Sequence, residues 1–369
     1  MNILITGCDG YIGWPLFLKF ILKNKKDKIL GIDNFARRKW VKEVKSSSSI
    51  KIYPMKERLN ELKKNRKKNF KFIKGDLQNK DFLFKIIKSF KPNVILHLAA
   101  QPSAPYANSS FKRSYYTIKN NNISTLNILW SLKELRLENK TLLITTTTTG
   151  VYGAPDFSIP EGFLVPNKFK IPYGNMGGSW YHITKSNDVN HLWLANKLWG
   201  TSIIDFRTAI TIGVSTNETK LSKIFSNRFD HDFYFGVVIN RFIYNSLRKK
   251  PILIYGKGKQ KKPFIHLEDA VDSLYNSVKL KIDGKFRVFN QFSETLSIKD
   301  AATIIKKIHL KNNKKVKIKH IKNPRKEDEK HNMKMLNKGF LKILKRKPLK
   351  LKQAINSSIE DLSHINEED

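Results

Sequence analysis

The chain has a single cysteine, Cys8, in 369 residues. One thiol excludes an internal disulfide and any cysteine-built zinc cluster. Acids are also scarce, with 31 Asp and Glu against 70 Lys and Arg. Long apolar runs are missing: Trp14 to Leu22 is interrupted by Lys19 and falls well short of the ~18 residues of a membrane span. A cleavable leader is not expected either, because the first strand begins at Asn2. These absences point to a reduced, cytoplasmic protein with no membrane span and no metal site. What is present suffices for a sizeable core: apolar residues make up 40%, and the length suggests about two domains.

The formal charge of +39 raises the question of an anionic partner. The excess is mostly lysine and is spread from Lys19 to Lys352 rather than gathered in one arm. Lysine is the general solvated cation, whereas arginine is the better reader of bases and phosphates. We therefore read a basic surface set by composition, and nucleic acid is not an expected partner. A non-catalytic, nucleic-acid-binding protein on the same fold stays open as a remote alternative, with the charge as its only support.

The first half alternates short apolar strands with helical stretches, as a parallel sheet covered on both faces requires. Strands are expected at Asn2–Thr6, Lys28–Ile32, Phe70–Lys74, Val94–Leu98, Leu142–Thr147 and Ser202–Phe206. Helices are expected at Trp14–Lys23, Lys80–Phe90, Ile118–Glu134 and Tyr181–Leu198. The fold class is α/β: a Rossmann-type, doubly wound parallel sheet with a smaller C-terminal substrate-binding domain. The dinucleotide-binding domain is placed at 1–208. A basic insert at about 39–69 holds the serine run Ser46–Ser49 and a Lys-rich helix near Met55–Lys67. Residues 209–369 make mainly the second domain, with chain returning to the sheet edge. Gly213 to Gly236 shows little periodicity. Helices recur at Val237–Leu247, Leu267–Val278, Ile298–Ile308 and Lys350–Ile359.

Gly7, Gly10 and Gly13 follow the first strand and open the first helix. Glycines there permit a tight turn and let backbone amides approach a pyrophosphate at the helix N-terminus. Tyr11 and Ile12 belong to the same loop. Asp33 stands twenty positions after Gly13, at the end of the second strand, where an acid holds ribose hydroxyls. A carboxylate there disfavours a 2′-phosphate, so NAD is favoured over NADP; Asn34, Arg37 and Arg38 follow it. Asp76 and Leu77 end the third strand, and Asp76 is in place to bond an adenine. Leu98, Ala99 and Ala100 end the fourth strand, where small residues let backbone approach a cofactor. Asn121 lies in the helix before the fifth strand. His97 reads as a satisfied core histidine.

Tyr181 and Lys185 are four apart and share one helix face. Tyrosine titrates near pH 10, and the Lys185 ammonium and the positive nicotinamide are both expected to lower that value. A lowered Tyr181 can take a proton from a sugar hydroxyl while hydride leaves to a nicotinamide. Lys185 is also expected to hold the nicotinamide ribose. The run Thr145–Thr149 has high β-propensity and ends just before Gly150-Val151-Tyr152-Gly153. Thr148, four before Tyr152, is the hydroxyl expected to bind the reacting oxygen.

With these residues the chain resembles the extended short-chain dehydrogenase/reductases, the NAD-dependent epimerase/dehydratase family. The resemblance spans nearly the whole chain and includes the late segment Tyr255-Gly256-Lys257-Gly258-Lys259-Gln260. It implies a nucleotide-sugar substrate, NAD as cofactor and a homodimer. Within the family the chain resembles the UDP-sulfoquinovose synthases. Stretches that carry this are Ser103-Ala104-Pro105-Tyr106, Trp180-Tyr181-His182, Asn227-Arg228-Phe229-Asp230, Asn240-Arg241-Phe242 and Asn323-Pro324-Arg325. The resemblance implies substrate contacts from Gln101, Ser103, Tyr106, Thr149, His182, Arg241, Lys262 and Arg325, with Arg241 and Arg325 near the UDP. It implies oxidation of UDP-glucose at C4, loss of water to a 4-keto-5,6-ene, addition of sulfite at C6 and return of the hydride, giving the sulfonated sugar of sulfolipid. Pro102 stands where the synthases carry arginine, and Val151 where they carry glutamate. Those two positions keep a second reading open, an NDP-sugar 4-epimerase or dehydratase.

Overall fold

The computed structural model describes residues 1–64, 68–153, 155, 157–164, 171–172, 177–323 and 333–363. In chain order the elements are β1 (Asn2–Thr6), α1 (Gly13–Lys23), β2 (Lys28–Asp33), α2 (Ala36–Glu43), α3 (Met55–Lys64), β3 (Phe70–Lys74), α4 (Lys80–Phe90), β4 (Val94–His97), α5 (Ala104–Ala107), α6 (Phe111–Glu134) and β5 (Leu142–Thr148). They continue with β6 (Phe163–Leu164), β7 (Ile171–Pro172), α7 (Trp180–Trp199), β8 (Ile203–Thr208), β9 (Ile210–Ile212), α8 (Val238–Leu247), β10 (Ile252–Tyr255), β11 (Lys261–His266), α9 (Leu267–Ser277) and β12 (Phe286–Gln291). The last are β13 (Glu294–Ser297), α10 (Ile298–Lys311), β14 (Ile318–Ile321), α11 (Lys338–Leu344) and α12 (Leu351–Asp361).

Seven strands form the main sheet in the order β12-β8-β5-β4-β1-β2-β3, and every pairing is parallel. The fold is Rossmann-type, as expected. Ile3, Leu4 and Ile5 are all buried because both faces of β1 are covered. One face packs on α1 and α9 through Phe17, Phe20, Val271 and Leu274. The other packs on α4, α6 and α7 through Leu83, Ile128 and Leu192. A second core joins α8, α10 and α12 around Phe242, Ile305 and Ile355. The chain returns to the sheet edge through β12, which pairs with β8.

Most expected elements stand within a residue or two of their bounds; α6 does not. It begins at Phe111 rather than Ile118, where the Ser110 hydroxyl accepts from the Arg113 amide at 3.4 Å. Phe111 and Tyr115 face outward, which hides the helical period. The short β9, β11 and β13 form a three-stranded sheet, and β10 pairs with β14; neither was expected. The Lys-rich insert helix ends at Lys64 among the described residues, and 65–67 lie outside them. No described helix is long and apolar enough to cross a membrane.

Candidate active site

A cleft opens over the carboxyl ends of β1, β2, β3 and β4, where strand order reverses between β1 and β4. Backbone shapes its floor. Gly7 has φ of +74°, and a Cβ there would fall 2.7 Å from the Ala99 amide nitrogen. A Cβ on Gly13 would fall 2.0 Å from the Gly7 carbonyl. The Gly7 amide donates to Ile32 at 2.8 Å, which ties the loop to β2. Gly7, Gly10, Asp33, Asn34, Arg37, Asp76, Leu77, Leu98, Ala99 and Ala100 all line this cleft. The loop, the acid at the strand end and the small residues after β4 fit a dinucleotide.

Asp33 accepts from the Asp9 amide at 2.8 Å and the Phe35 amide at 2.7 Å. Burial, and then the neighbouring Asp9 charge, push its carboxyl up to about 6, against those amide bonds and Arg38. Arg38 closes its fork on Asp9 at 2.6 and 2.7 Å. Arg37 reaches Asp230 at 2.7 Å and lies 4.0 Å from the Phe235 ring centre. Asp76 accepts from the Asn34 side chain at 3.1 Å and the Gln78 amide at 2.9 Å. Tyr11 leaves the loop and donates to the Gly213 carbonyl at 2.5 Å. Ile12 caps α1.

Thr148 and Tyr181, two of the residues expected to react, face each other between β5 and α7. Ser179 caps α7 by accepting from the His182 amide at 3.1 Å, and Gly200 ends the helix at φ +66°. Within it, Tyr181 hydrogen-bonds Thr148, the last residue of β5. Lys185 lies 3.4 Å from Asp188. The expected lowering of Tyr181 is not found. Burial, and then the Asp188 carboxylate, push the phenol well above its ordinary value, and only the Thr148 bond acts downward. The physical reason is first the burial of the phenol and then the Asp188 carboxylate, beside which the Lys185 ammonium also sits. Burial also pushes the Asp188 carboxyl up, despite Lys185 and hydrogen bonds from Asn122 and Thr125.

Asn121 stands behind the cleft wall rather than on it. Its carbonyl oxygen accepts from the Gln101 amide at 2.8 Å, and its amide donates to Thr184 at 2.9 Å. It thus joins the loop after β4 to α7, while Asn120 and Ser124 line the cleft. His97 bonds Thr6 at 2.9 Å and Thr125 at 3.3 Å, and burial lowers its pKa to about 3. It is a neutral core histidine, as read from the sequence.

The residues assigned to a substrate are placed less uniformly. His182 packs against Gly150, where a Cβ would fall 2.3 Å from its Nε2; its Nδ1 is 2.9 Å from the Ser179 hydroxyl. Gln101 is buried, and its Oε1 accepts from the Ser103 amide at 3.2 Å. Ser103 donates to the Tyr234 carbonyl. Tyr106 is buried among Trp40, Val41 and Phe235, and its hydroxyl donates to Glu43 at 2.7 Å. Thr149 is buried. Arg241 donates to the Gly236 carbonyl at 2.6 Å. Lys262 lies in β11 opposite Leu296. Arg325 lies outside the described residues.

Sequence reasoning missed Asp188, Asn122 and Asp9. Asp188 could have been found from its i, i+3 spacing to Lys185, and Asp9 from an acid inside a glycine loop. Asn122, which donates to Asp188 at 3.0 Å, had no local signal. Val151 turns into a buried apolar cluster with Tyr152, Ile159 and Met333.

The GDP-mannose 4,6 dehydratase family pattern matches residues 4–186. The chain is 35% identical over 340 residues to a UDP-sulfoquinovose synthase of Sulfolobus acidocaldarius, covering 90% of this chain and 84% of that protein. It is 33% identical over 338 residues to the chloroplastic UDP-sulfoquinovose synthase of Spinacia oleracea, covering 89% and 69%. Among solved structures it is similar to UDP-glucuronic acid 4-epimerase from Bacillus cereus in complex with UDP-glucuronic acid and NAD. That likeness has a TM-score of 0.71 at 22% identity, over 99% of this chain and 100% of the other.

Proposed function

The chain belongs to the NAD-dependent epimerase/dehydratase family of extended short-chain dehydrogenase/reductases, and from that premise we propose a UDP-sulfoquinovose-synthase-like enzyme acting on UDP-glucose and sulfite. The observation that carries this is identity above 30% along nine-tenths of the chain to relatives so named. NAD is the cofactor, held by the glycine loop, Asp33 and the segments after β3 and β4; a carboxylate at Asp33 favours it over NADP. Bound there, NAD would supply a reversible hydride acceptor. Thr148 holds the reacting hydroxyl and Tyr181 takes its proton, with Lys185 as the charge that favours tyrosinate once it turns from Asp188. A C4 ketone acidifies the C5 hydrogen, water leaves across C5 and C6, and sulfite adds at C6. His182 and Gln101 are assigned to the sugar, and Arg241, Lys262 and Arg325 to the UDP.

A second reading is favoured by Val151. Buried among apolar neighbours, it supplies no acid for the elimination, and a site with hydroxyl, tyrosine and lysine alone suits a 4-epimerase. The mass of the product from UDP-glucose, with and without sulfite, separates the two. A sulfite-dependent sulfonated UDP-sugar is expected; an isomer of unchanged mass would move the assignment to the epimerase. We further infer a homodimer through α6 and α7, where Phe111, Tyr115, Ile118, Leu194 and Leu198 are exposed. Sedimentation at twice the monomer mass is the check.

A further inference from the structure

Three elements converge on the glycine loop, two of them through Asp9, which is 4% exposed, and the third through the residues beside it. The first is Arg58 in α3, inside the basic insert and 1% exposed. Its Nη1 is 3.3 Å from Asp9 Oδ1, and its Nη2 donates to the Ser226 carbonyl at 2.7 Å. Its guanidinium lies 4.4 Å from the ring centre of Trp14, the residue after Gly13. The second is Arg38, whose fork closes on Asp9 while Nη2 also donates to the Tyr53 carbonyl at 3.0 Å. The third is the segment after β9, where Asn227 donates to the Tyr11 carbonyl at 2.9 Å and Phe225 accepts from the Trp14 indole at 2.8 Å. The insert is joined to that segment by its serine run. The Ser49 amide donates to the Phe229 carbonyl at 3.0 Å, and the Ser48 hydroxyl accepts from the Phe229 amide at 2.9 Å.

Asp9 is an unfavourable residue to find here. The loop must receive a dianionic pyrophosphate, and the Asp9 amide donates to the carboxylate of Asp33. An uncompensated second carboxylate in this buried place would repel both. We propose that Arg58 is a positioning residue for the glycine loop: by holding Asp9 from the insert, it sets how slowly the bound dinucleotide leaves. Arg58 touches neither sugar nor reacting atoms. Its single contact at 3.3 Å adds to the Arg38 fork in offsetting the Asp9 charge, and its stacking on Trp14 fixes the start of α1, whose amides would face the pyrophosphate. The need for retention rests on the redox-neutral cycle proposed above, because a cofactor lost between hydride removal and return would strand the sugar. The contact itself does not rest on that cycle, and following cofactor release without any sugar keeps the two apart.

The experiment follows exchange of labelled NAD from the holoenzyme against excess unlabelled NAD in four forms: Arg58→Met, Arg58→Lys, Asp9→Asn and the double variant Arg58→Met with Asp9→Asn. Arg58→Met is expected to release NAD about tenfold faster, since one of two cations on a buried acid is gone. Removing that acid should remove the need, so the double variant is expected within about twofold of Asp9→Asn alone. Arg58→Lys keeps the charge while losing the Ser226 bond and the planar stack on Trp14, and is expected between the parent and Arg58→Met, within about threefold of the parent. Unchanged release in Arg58→Met with a lower melting midpoint would make Arg58 a packing residue only and overturn the proposal. So would a double variant as fast as Arg58→Met. If Arg58→Met fails to fold, Arg58→Lys decides: release within about threefold of the parent supports charge pairing, and release about tenfold faster overturns it.

Discussion

Around Gly7 to Gly13 the cleft wall is backbone, whereas around Tyr181 it is side chains holding one another. At the first place, Gly13 has no room for a Cβ and Gly7 adopts a positive φ, so the residue type is dictated by steric limits within a few positions. At the second, Tyr181 leans on Thr148, 33 residues earlier, and Lys185 on Asp188, which in turn takes a hydrogen bond from Asn122. The first arrangement binds by shape and dipole. The second must change its charge state to act, and as it stands its phenol is held protonated. The difference predicts that damage at the chemical end costs turnover while sparing the cofactor, and that damage at the cofactor end does the reverse.

The sharpest break of that comparison is Tyr181→Phe. Removing a general base costs roughly 10²–10⁴-fold, so turnover is expected to fall about a thousandfold while NAD stays bound; full activity would sink the tyrosinate role. Next in size is the ion cluster between α1 and α9, beneath the cofactor end. Lys19 of α1 meets Glu218 at 3.0 Å, Glu268 at 3.3 Å and Asp272 at 2.6 Å. Lys19→Met would leave three acids facing one another with little solvent, and a loss of about 3 kcal/mol is expected. Equilibrium urea unfolding measures it. A loss under about 1 kcal/mol would mean that solvent already screens the cluster.

The same contrast explains what the sequence made legible. β1 to β5, α1, α4 and α7 were readable because each obeys one period and is covered by its neighbours. The acid at Asp33 was readable because its offset from Gly13 is fixed by one strand and one helix. The unread parts depend on distant partners. β9, β11 and β13 are three to six residues each and exist only as one another's edges. Phe111 and Tyr115 face outward and masked the first two turns of α6. Tyr106 looked like a ligand-facing tyrosine, but Glu43 takes its hydroxyl, and no local pattern pairs positions 63 apart. Tyr181 was read as lowered because the cation at i+4 and the nicotinamide charge were weighed, whereas burial and the acid at i+7 were not.

At the cofactor end, Asp33→Ala is expected to weaken NAD binding about tenfold, the size of one lost charge-assisted contact. The intact protein offers a second check. The Asp33 carboxyl is pushed up to about 6, and ribose hydroxyls donate more strongly to its ionised form. Affinity for NAD should therefore fall as the pH drops through about 6, and Asp33→Asn should flatten that fall. A parent whose affinity is level from pH 7 to 5 would show that the ribose is held elsewhere.

The smallest expected effect tests the chemical end most directly. Asp188→Asn removes the carboxylate that, after burial, holds the Tyr181 phenol up, and it releases the ammonium of Lys185. Asparagine keeps an acceptor for Asn122, which donates to Asp188 at 3.0 Å, so the helix contact persists. Both changes favour tyrosinate. A general base works when deprotonated, so activity rises with pH through its pKa, and lowering that pKa moves the acidic limb of kcat/KM to lower pH. A displacement of about half a unit is expected, which is about threefold in rate on the limb. A limb that stays in place would mean that Lys185 already faces Tyr181 in the working enzyme and that Asp188 only anchors α7. In that case the two ends of the cleft would be alike after all, each held rigid before its ligand arrives.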